Sequence, residues 1–197
     1  MKRIVLASGN AGKLHEVKAL LADLACEVVA LSECSDAALP DEGDDYTENA
    51  AEKARFAAQA TGLPALGDDS GIEVDALDGR PGPRSARYGG EGLDAAGRNA
   101  RLLAELAGVP AQARGARFFC VAALALPEGS VRTASGECRG EILAAPAGAG
   151  GFGYDPIFRP AGFTVAMAEL PEAEKNALSH RGRAFAALRP AIEAALA

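Results

Sequence analysis

Residues 3–13 read Arg-Ile-Val-Leu-Ala-Ser-Gly-Asn-Ala-Gly-Lys, and their passage from strand to helix decides the fold class. Arg3 to Ala7 is a short apolar run with β-branched side chains, as a buried strand requires. It passes through Ser8-Gly9-Asn10-Ala11-Gly12-Lys13 straight into a helical spacing, with Leu14, Val17, Leu20, Leu21 and Leu24 on one face. Strand, glycine-rich turn, helix N-terminus and lysine together make an anion site. Free backbone N–H groups and the positive helix end face the ligand, and Lys13 adds a full charge. The stretch is not a Walker A loop, because Gly9 and Gly12 are too close together and Leu14 replaces the metal-binding hydroxyl. A third glycine, needed for a dinucleotide fingerprint, is also missing. An ordinary strand-to-helix turn is the competing reading.

The alternation continues outward from this unit. Glu27 to Leu31 reads as a second strand, and residues 32–46 as an acidic loop. Thr47 is the expected cap of a helix running to Thr61, with Glu48 in its first turn and Gly62 beyond its end. A strand over 65–68 is expected to enter a turn at Asp68-Asp69, with a short strand at 72–75. Residues 78–92 form a loop rich in glycine and proline, and Asp94 caps a helix ending near Gly108. Two long strands, 116–126 and 131–143, joined through Pro127-Glu128-Gly129-Ser130, imply an antiparallel hairpin. Helical segments close the chain from 171 to 196, interrupted near Pro190. The result is an α/β fold, with a mixed central sheet flanked by helices. Residues 1–197 read as a single domain.

Gly67-Asp68-Asp69-Ser70-Gly71 is the most chemical stretch of the chain. Two adjacent carboxylates repel each other and are costly to bury ionised unless a cation neutralises them. Such oxygen ligands suit Mg²⁺, which uses one or two carboxylates and completes its shell with water and substrate phosphates. Asp, Ser and Gly are also ordinary turn residues, so a solvated turn is the alternative.

Composition narrows the partners. A formal net charge of −7 argues against a general binder of duplex nucleic acid, while leaving room for a small phosphorylated ligand. Cys26, Cys34, Cys120 and Cys138 form no C-x-x-C pair and there are 2 histidines, so a reduced, cytoplasmic setting without structural zinc is expected. The apolar run between Arg3 and Ser8 is the four residues Ile4 to Ala7, too few for a signal-peptide core. The longest apolar run, Phe118 to Leu126, is far short of a membrane span.

Two late segments add recognition chemistry. Gly150-Gly151-Phe152-Gly153-Tyr154-Asp155-Pro156 sets two aromatics among glycines, an arrangement suited to stacking on a planar base while a carboxylate or backbone group reads its edge; a buried turn with core aromatics is the competing reading. Glu174-Lys175-Asn176 and Ser179-His180-Arg181-Gly182 concentrate polar donors.

In order and spacing these segments resemble the inosine triphosphate pyrophosphatase family. The resemblance rests on Ser8-Gly9-Asn10-Ala11-Gly12-Lys13, Glu48-Asn49-Ala50 with Lys53, Asp68-Asp69-Ser70-Gly71, Pro81-Gly82 and Ser85-Ala86-Arg87-Tyr88. It continues through Gly151-Phe152-Gly153-Tyr154-Asp155-Pro156-Ile157-Phe158, Lys175 and Ser179-His180-Arg181-Gly182. It implies a long mixed sheet split between two lobes around a substrate cleft, a homodimer, and Mg²⁺-dependent hydrolysis. The implied substrates are deaminated purine nucleoside triphosphates (ITP, dITP and XTP), cut to the monophosphate and pyrophosphate. By resemblance, Ser8, Gly9, Asn10, Ala11, Gly12, Lys13 and Lys53 meet the triphosphate, and Asp69 is proton acceptor and metal ligand. Ser70 meets the substrate beside it. Phe152, Gly153, Tyr154, Asp155, Lys175, His180 and Arg181 serve the base. Relatives carry a second metal-binding glutamate where this chain has Asp41, and Glu42 beside it is the other candidate. A Maf-like pyrophosphatase acting on pyrimidine or modified nucleotides, a non-hydrolysing nucleotide sensor and a P-loop kinase are the alternatives.

Overall fold

The computed structural model describes residues 2–90 and 92–197; Glu91, in the loop expected over 78–92, lies outside them. Among the described residues, six strands alternate with five α-helices: β1 Lys2–Leu6, α1 Ala11–Leu20, β2 Cys26–Ala30, α2 Tyr46–Thr61, β3 Ala65–Val74, α3 Ala95–Glu105, β4 Gly115–Ala125, β5 Val131–Ile142, β6 Phe158–Pro160, α4 Glu172–Leu178 and α5 His180–Leu196. The strands form one sheet in the order β2-β1-β3-β4-β5-β6. β1 runs parallel to β2 and β3, while β5 and β6 are antiparallel. The short connection between the neighbouring strands β4 and β5 admits only antiparallel pairing. The sheet is mixed, as the alternation of elements led one to expect.

The chain divides into two compact units, Met1–Asp69 with Cys120–Gly136 and His180–Ala197, and Ser70–Phe119 with Glu137–Ser179. Strands β3, β4 and β5 each give residues to both. In the first unit, Ile4, Leu6, Val28, Leu66, Ala122 and Leu124 from the strands bury against Val17 and Leu21 of α1 and Phe185, Leu188 and Ile192 of α5. In the second, Ile72, Val74, Phe118 and Ile142 pack with Leu102 and Leu106 of α3, Ile157, Phe158 and Met167. Phe118 and Phe158 meet edge to face with centroids 4.7 Å apart, a favourable quadrupole arrangement.

Three expectations are corrected. The Asp68-Asp69 segment is not a turn, because β3 runs unbroken from Ala65 to Val74 and is buried on both faces. Gly67 serves close approach rather than backbone freedom. A Cβ there would stand 2.1 Å from the Ala50 carbonyl oxygen and 3.0 Å from the Ala54 nitrogen, so the glycine lets the α2 backbone lie directly on β3. The cap of α2 is Asp45, whose Oδ1 accepts from the N–H groups of Thr47 at 2.7 Å and Glu48 at 2.9 Å; Thr47 lies inside the first turn. The last helices break at Ser179, not Pro190, which lies within α5. Proline forfeits one helical hydrogen bond, and Ala184, Phe185, Leu188 and Ile192, buried on one face of α5, hold the helix through it. Gly62, left-handed at φ 67°, and Asp94, accepting from the Gly97 N–H, cap α2 and α3 as expected.

Gly67→Ala should lower stability by about 1–3 kcal/mol or more, since the methyl group meets rigid backbone. Gly9→Ala, where a Cβ meets open space, should leave the denaturation midpoint nearly unchanged. Equal midpoints for the two variants in urea would show that α2 and β3 do not approach so closely.

Candidate active site

Successive side chains of a strand point to opposite faces, so a continuous β3 separates Asp68 from Asp69. Each acid enters its own environment, and the pair is not a side-by-side dyad.

Asp68 is fully buried. Its Oδ1 lies 2.5 Å from Lys13 Nζ and 3.3 Å from Arg181 Nη2, and its Oδ2 lies 2.7 Å from Arg181 Nε. The Cys120 thiol donates to the same Oδ2 at 3.2 Å. Arg181 turns Nη1 to Glu16 Oε2 at 2.5 Å. Glu16, Arg181, Asp68 and Lys13 thus form a row of alternating charge. Burial pushes the Asp68 carboxyl up, but Arg181 and Lys13 outweigh it and hold the group well below the usual range. Cys120, buried beside that carboxylate, is pushed well above an ordinary thiol.

Asp69 faces α2. Its Oδ2 accepts from Asn49 Nδ2 at 2.9 Å, and its Oδ1 lies 3.5 Å from Lys53 Nζ. Asn49 and Lys53 are one helical turn apart, so the same face of α2 supplies both. Lys53 also donates to the Asp68 carbonyl oxygen at 2.7 Å and pairs closely with Glu42. Asn49 grips the loop before α2, accepting from the Gly43 N–H at 2.7 Å and donating to its carbonyl at 3.1 Å. Burial raises the Asp69 carboxyl, Lys53 and Asn49 offset this only in part, and Glu42 pushes it further up. Glu42 reaches this cluster; Asp41 is exposed.

The Ser8–Lys13 loop is set by its own bonds. Ser8 Oγ accepts from the Asn10 N–H at 3.1 Å, and Asn10 Oδ1 caps α1 by accepting from the Lys13 N–H at 3.1 Å. Gly9, Asn10 and Ala11 are exposed, and Gly12 and Lys13 partly so.

Ser70 opens the second unit, partly buried directly after Asp69. That unit also holds Phe152, Gly153, Tyr154, Asp155 and Lys175. Asp155 Oδ2 accepts from the Phe152 N–H at 2.8 Å and from Lys175 Nζ at 2.6 Å. The Lys175 ammonium stands 5.1 Å from the Phe152 ring centroid, within cation–π range. Gly151 takes φ 69°, and a Cβ on it would strike Asp155 Oδ2 at 2.2 Å. Phe152 stays partly exposed. Tyr154 belongs to the core of this unit, and its hydroxyl donates to the Ser85 carbonyl at 2.9 Å; burial raises its pKa strongly.

His180 and Arg181 open α5 in the first unit, both buried. Arg181, expected at the base edge, engages Asp68 and Glu16. Reading by motif also passed over Glu16 and Cys120, and it quoted Asn49 only within Glu48-Asn49-Ala50, without a role of its own. The available signal was polar residues on apolar faces: Asn49 and Lys53 share the face of α2 with Ala50, Ala54 and Ala57, and Glu16 adjoins Val17.

Removing one partner of a buried ion pair leaves the other uncompensated. Asp68→Asn should therefore cost about 3–5 kcal/mol at neutral pH with chelator present. Because the folded carboxyl titrates below its ordinary 3.8, its contribution is complete above that value and fades as pH falls through the depressed one. The gap between parent and variant should hold steady from neutrality to about pH 4 and close only below it. A gap that closes between neutrality and that point would contradict the buried pairing.

The model of the Ham1 family matches residues 4–191. A dITP/XTP pyrophosphatase of Geobacter sulfurreducens is 50% identical over 190 residues, covering 96% of either chain. One from Streptomyces coelicolor is 48% identical over 195 residues, covering 98% of each. Among solved structures, a HAM1 protein from Coxiella burnetii superposes with a TM-score of 0.87 at 42% identity, over 98% of this chain and 99% of that one. With its sheet, its helices and nearly its whole length matched, the chain belongs to the Ham1 family.

Proposed function

We propose that this protein hydrolyses the deaminated purine nucleoside triphosphates ITP, dITP and XTP to the monophosphate and pyrophosphate, removing them from the nucleotide pool. The observation that carries the reading is Asp69: a buried carboxylate, raised above its ordinary pKa, set among Asn49, Lys53 and Glu42. The curated relatives, pyrophosphatases of dITP and XTP by name, point the same way.

The exposed backbone of the Ser8–Lys13 loop receives phosphate oxygens at the N-terminus of α1. Lys13 and Lys53 supply the positive charge that a triphosphate requires, and a polyanion competes with Asp68 for Lys13. Water attacks the α-phosphorus and passes its proton to Asp69, a general base raised toward the working pH. The bond from the α-phosphorus to the bridging oxygen breaks, and pyrophosphate leaves with that oxygen. Positioning and charge neutralisation supply most of the rate in such transfers. Phe152 stacks on the base, with Asp155, Lys175 and His180 serving its edge. Hypoxanthine and xanthine present a 6-oxo acceptor where adenine presents a donor, so side-chain donors discriminate against ATP.

A divalent ion fits the acids. Among the described residues no group of three or more His, Cys, Asp and Glu side chains gathers as a metal site. Asp69 and Glu42 offer two carboxylates, the number Mg²⁺ uses when water and phosphates complete its shell. Burial is the largest push on the Asp69 carboxyl, and the nearby charge of Glu42 adds to it. Asp69 and Glu42 are the residues that would hold the ion, rather than Asp41. When bound, Mg²⁺ supplies charge neutralisation at the phosphates and an acidified water. A homodimer in the cytoplasm completes the proposal; the four cysteines are free thiols, as a reducing compartment allows, and no helix among the described residues is long and apolar enough to cross a membrane.

A panel of nucleoside triphosphates with Mg²⁺ tests the reaction. ITP, dITP and XTP should yield monophosphate and pyrophosphate far faster than ATP. A pyrimidine preference, or release of orthophosphate and a diphosphate, would overturn the assignment. Asp69→Asn should lower kcat by at least about a hundredfold. In calorimetric titration with Mn²⁺, Glu42→Gln should weaken binding and Asp41→Asn should not; the reverse order would return the role to Asp41.

A further inference from the structure

Phe152 sits on a loop that glycine makes pliable, with Gly151 at φ 69° and Gly153 at φ 63°. A stacking ring needs a fixed plane, because an aromatic contact is worth most when its geometry is set before the ligand arrives. Something must take that freedom away. Asp155 does half of this by accepting the Phe152 N–H.

The other half comes from α3, a helix outside every motif that the sequence singled out for recognition. Asn99 lies in the middle of α3, 5% exposed, on the face that also buries Leu102. Its Nδ2 donates to the Gly153 carbonyl oxygen at 3.0 Å. The chain on both sides of Phe152 is thereby held, its own N–H by Asp155 and the carbonyl one residue later by Asn99.

Packing does not account for an amide at this place. Asn99 Oδ1 is buried and finds no hydrogen-bond partner among the described residues, which costs desolvation free energy without return. A leucine, with the same branching and number of heavy atoms, would continue the apolar face of Leu102 and Leu106 without that unpaired acceptor. The bond from Nδ2 to Gly153 is what the amide contributes.

We propose that Asn99 is a positioning residue for base recognition, fixing the Gly151–Gly153 loop so that the Phe152 ring is presented to the purine. The inference rests on the reading of Phe152 as the base platform. It predicts an effect confined to ligands that carry a base. Asn99→Leu and Asn99→Asp, the second of equal size with an acceptor in place of the donor, should each raise the KM for ITP about three- to tenfold, as for one lost neutral hydrogen bond. In both, kcat should stay within about twofold.

Calorimetry separates the possible failures. Both variants should weaken IMP and leave inorganic pyrophosphate, which has no base, unchanged; Asn99→Asp provides the measurement if the leucine variant does not fold. Parallel loss of IMP and pyrophosphate would make Asn99 a general structural residue and overturn the proposal. So would unchanged IMP binding in a background where Phe152→Ala weakens it. If Phe152→Ala itself left IMP binding intact, the base platform would fall, and this proposal with it.

Discussion

An ionised carboxylate at no exposure is among the most expensive things a fold can hold, and Asp68 is held that way. The guanidinium of Arg181 and the ammonium of Lys13 make it tolerable, with Glu16 in turn balancing Arg181. These four groups come from α1, β3 and α5, so satisfying one charge fixes three elements of the first unit against one another. Gly136 shows how closely α5 is drawn in: a Cβ there would stand 2.3 Å from the His180 carbonyl oxygen. The same network ties the side chain of Lys13 to β3, directly behind the loop proposed to take phosphate.

Strand geometry turns one pair of identical residues into two different tools. Asp68 and Asp69 share a backbone and a residue type, yet the pleat sends one to the cations and the other to α2. The first is pushed down by Arg181 and Lys13; the second is pushed up by burial that Lys53 and Asn49 only partly offset. A low-pKa acid makes a permanent anchor and a poor base, whereas a raised one is the better proton acceptor of the two. Had the segment been a solvated turn, both carboxylates would have stayed ordinary.

What the sequence made legible was local. The β1–loop–α1 unit, the left-handed Gly62 and the Asp94 cap depend on neighbours within a few residues, and all three appear as read. The continuity of β3 did not, because glycine and aspartate are turn formers unless something distant overrules them. Here the overruling partners are the α2 backbone above Gly67 and Arg181, 113 residues from Asp68 in sequence. Family resemblance pointed to Asp69, Lys13, Phe152 and Lys175 but said little about contacts. It left Asp41 and Glu42 side by side as candidates, and of the two it is Glu42 that pairs with Lys53. Tyr154, read among the recognition aromatics, donates its hydroxyl to the Ser85 carbonyl and packs in the core of the second unit.

The second unit solves a different problem, that of holding a loop still without filling it. Loop 148–153 lies so close to Ala168 that a Cβ at Gly148 or Gly150 would come within 2.8 Å of it. Large side chains are therefore excluded just where rigidity is wanted, and glycine brings the least rigidity of all. Backbone hydrogen bonds resolve the conflict, from Gly150 N–H to the Ala168 carbonyl, from Phe152 N–H to Asp155 and from Asn99 to the Gly153 carbonyl. They constrain the chain without occupying the space beside it. A loop built in this way can carry one exposed aromatic ring in a fixed plane, and that is the property a base platform needs.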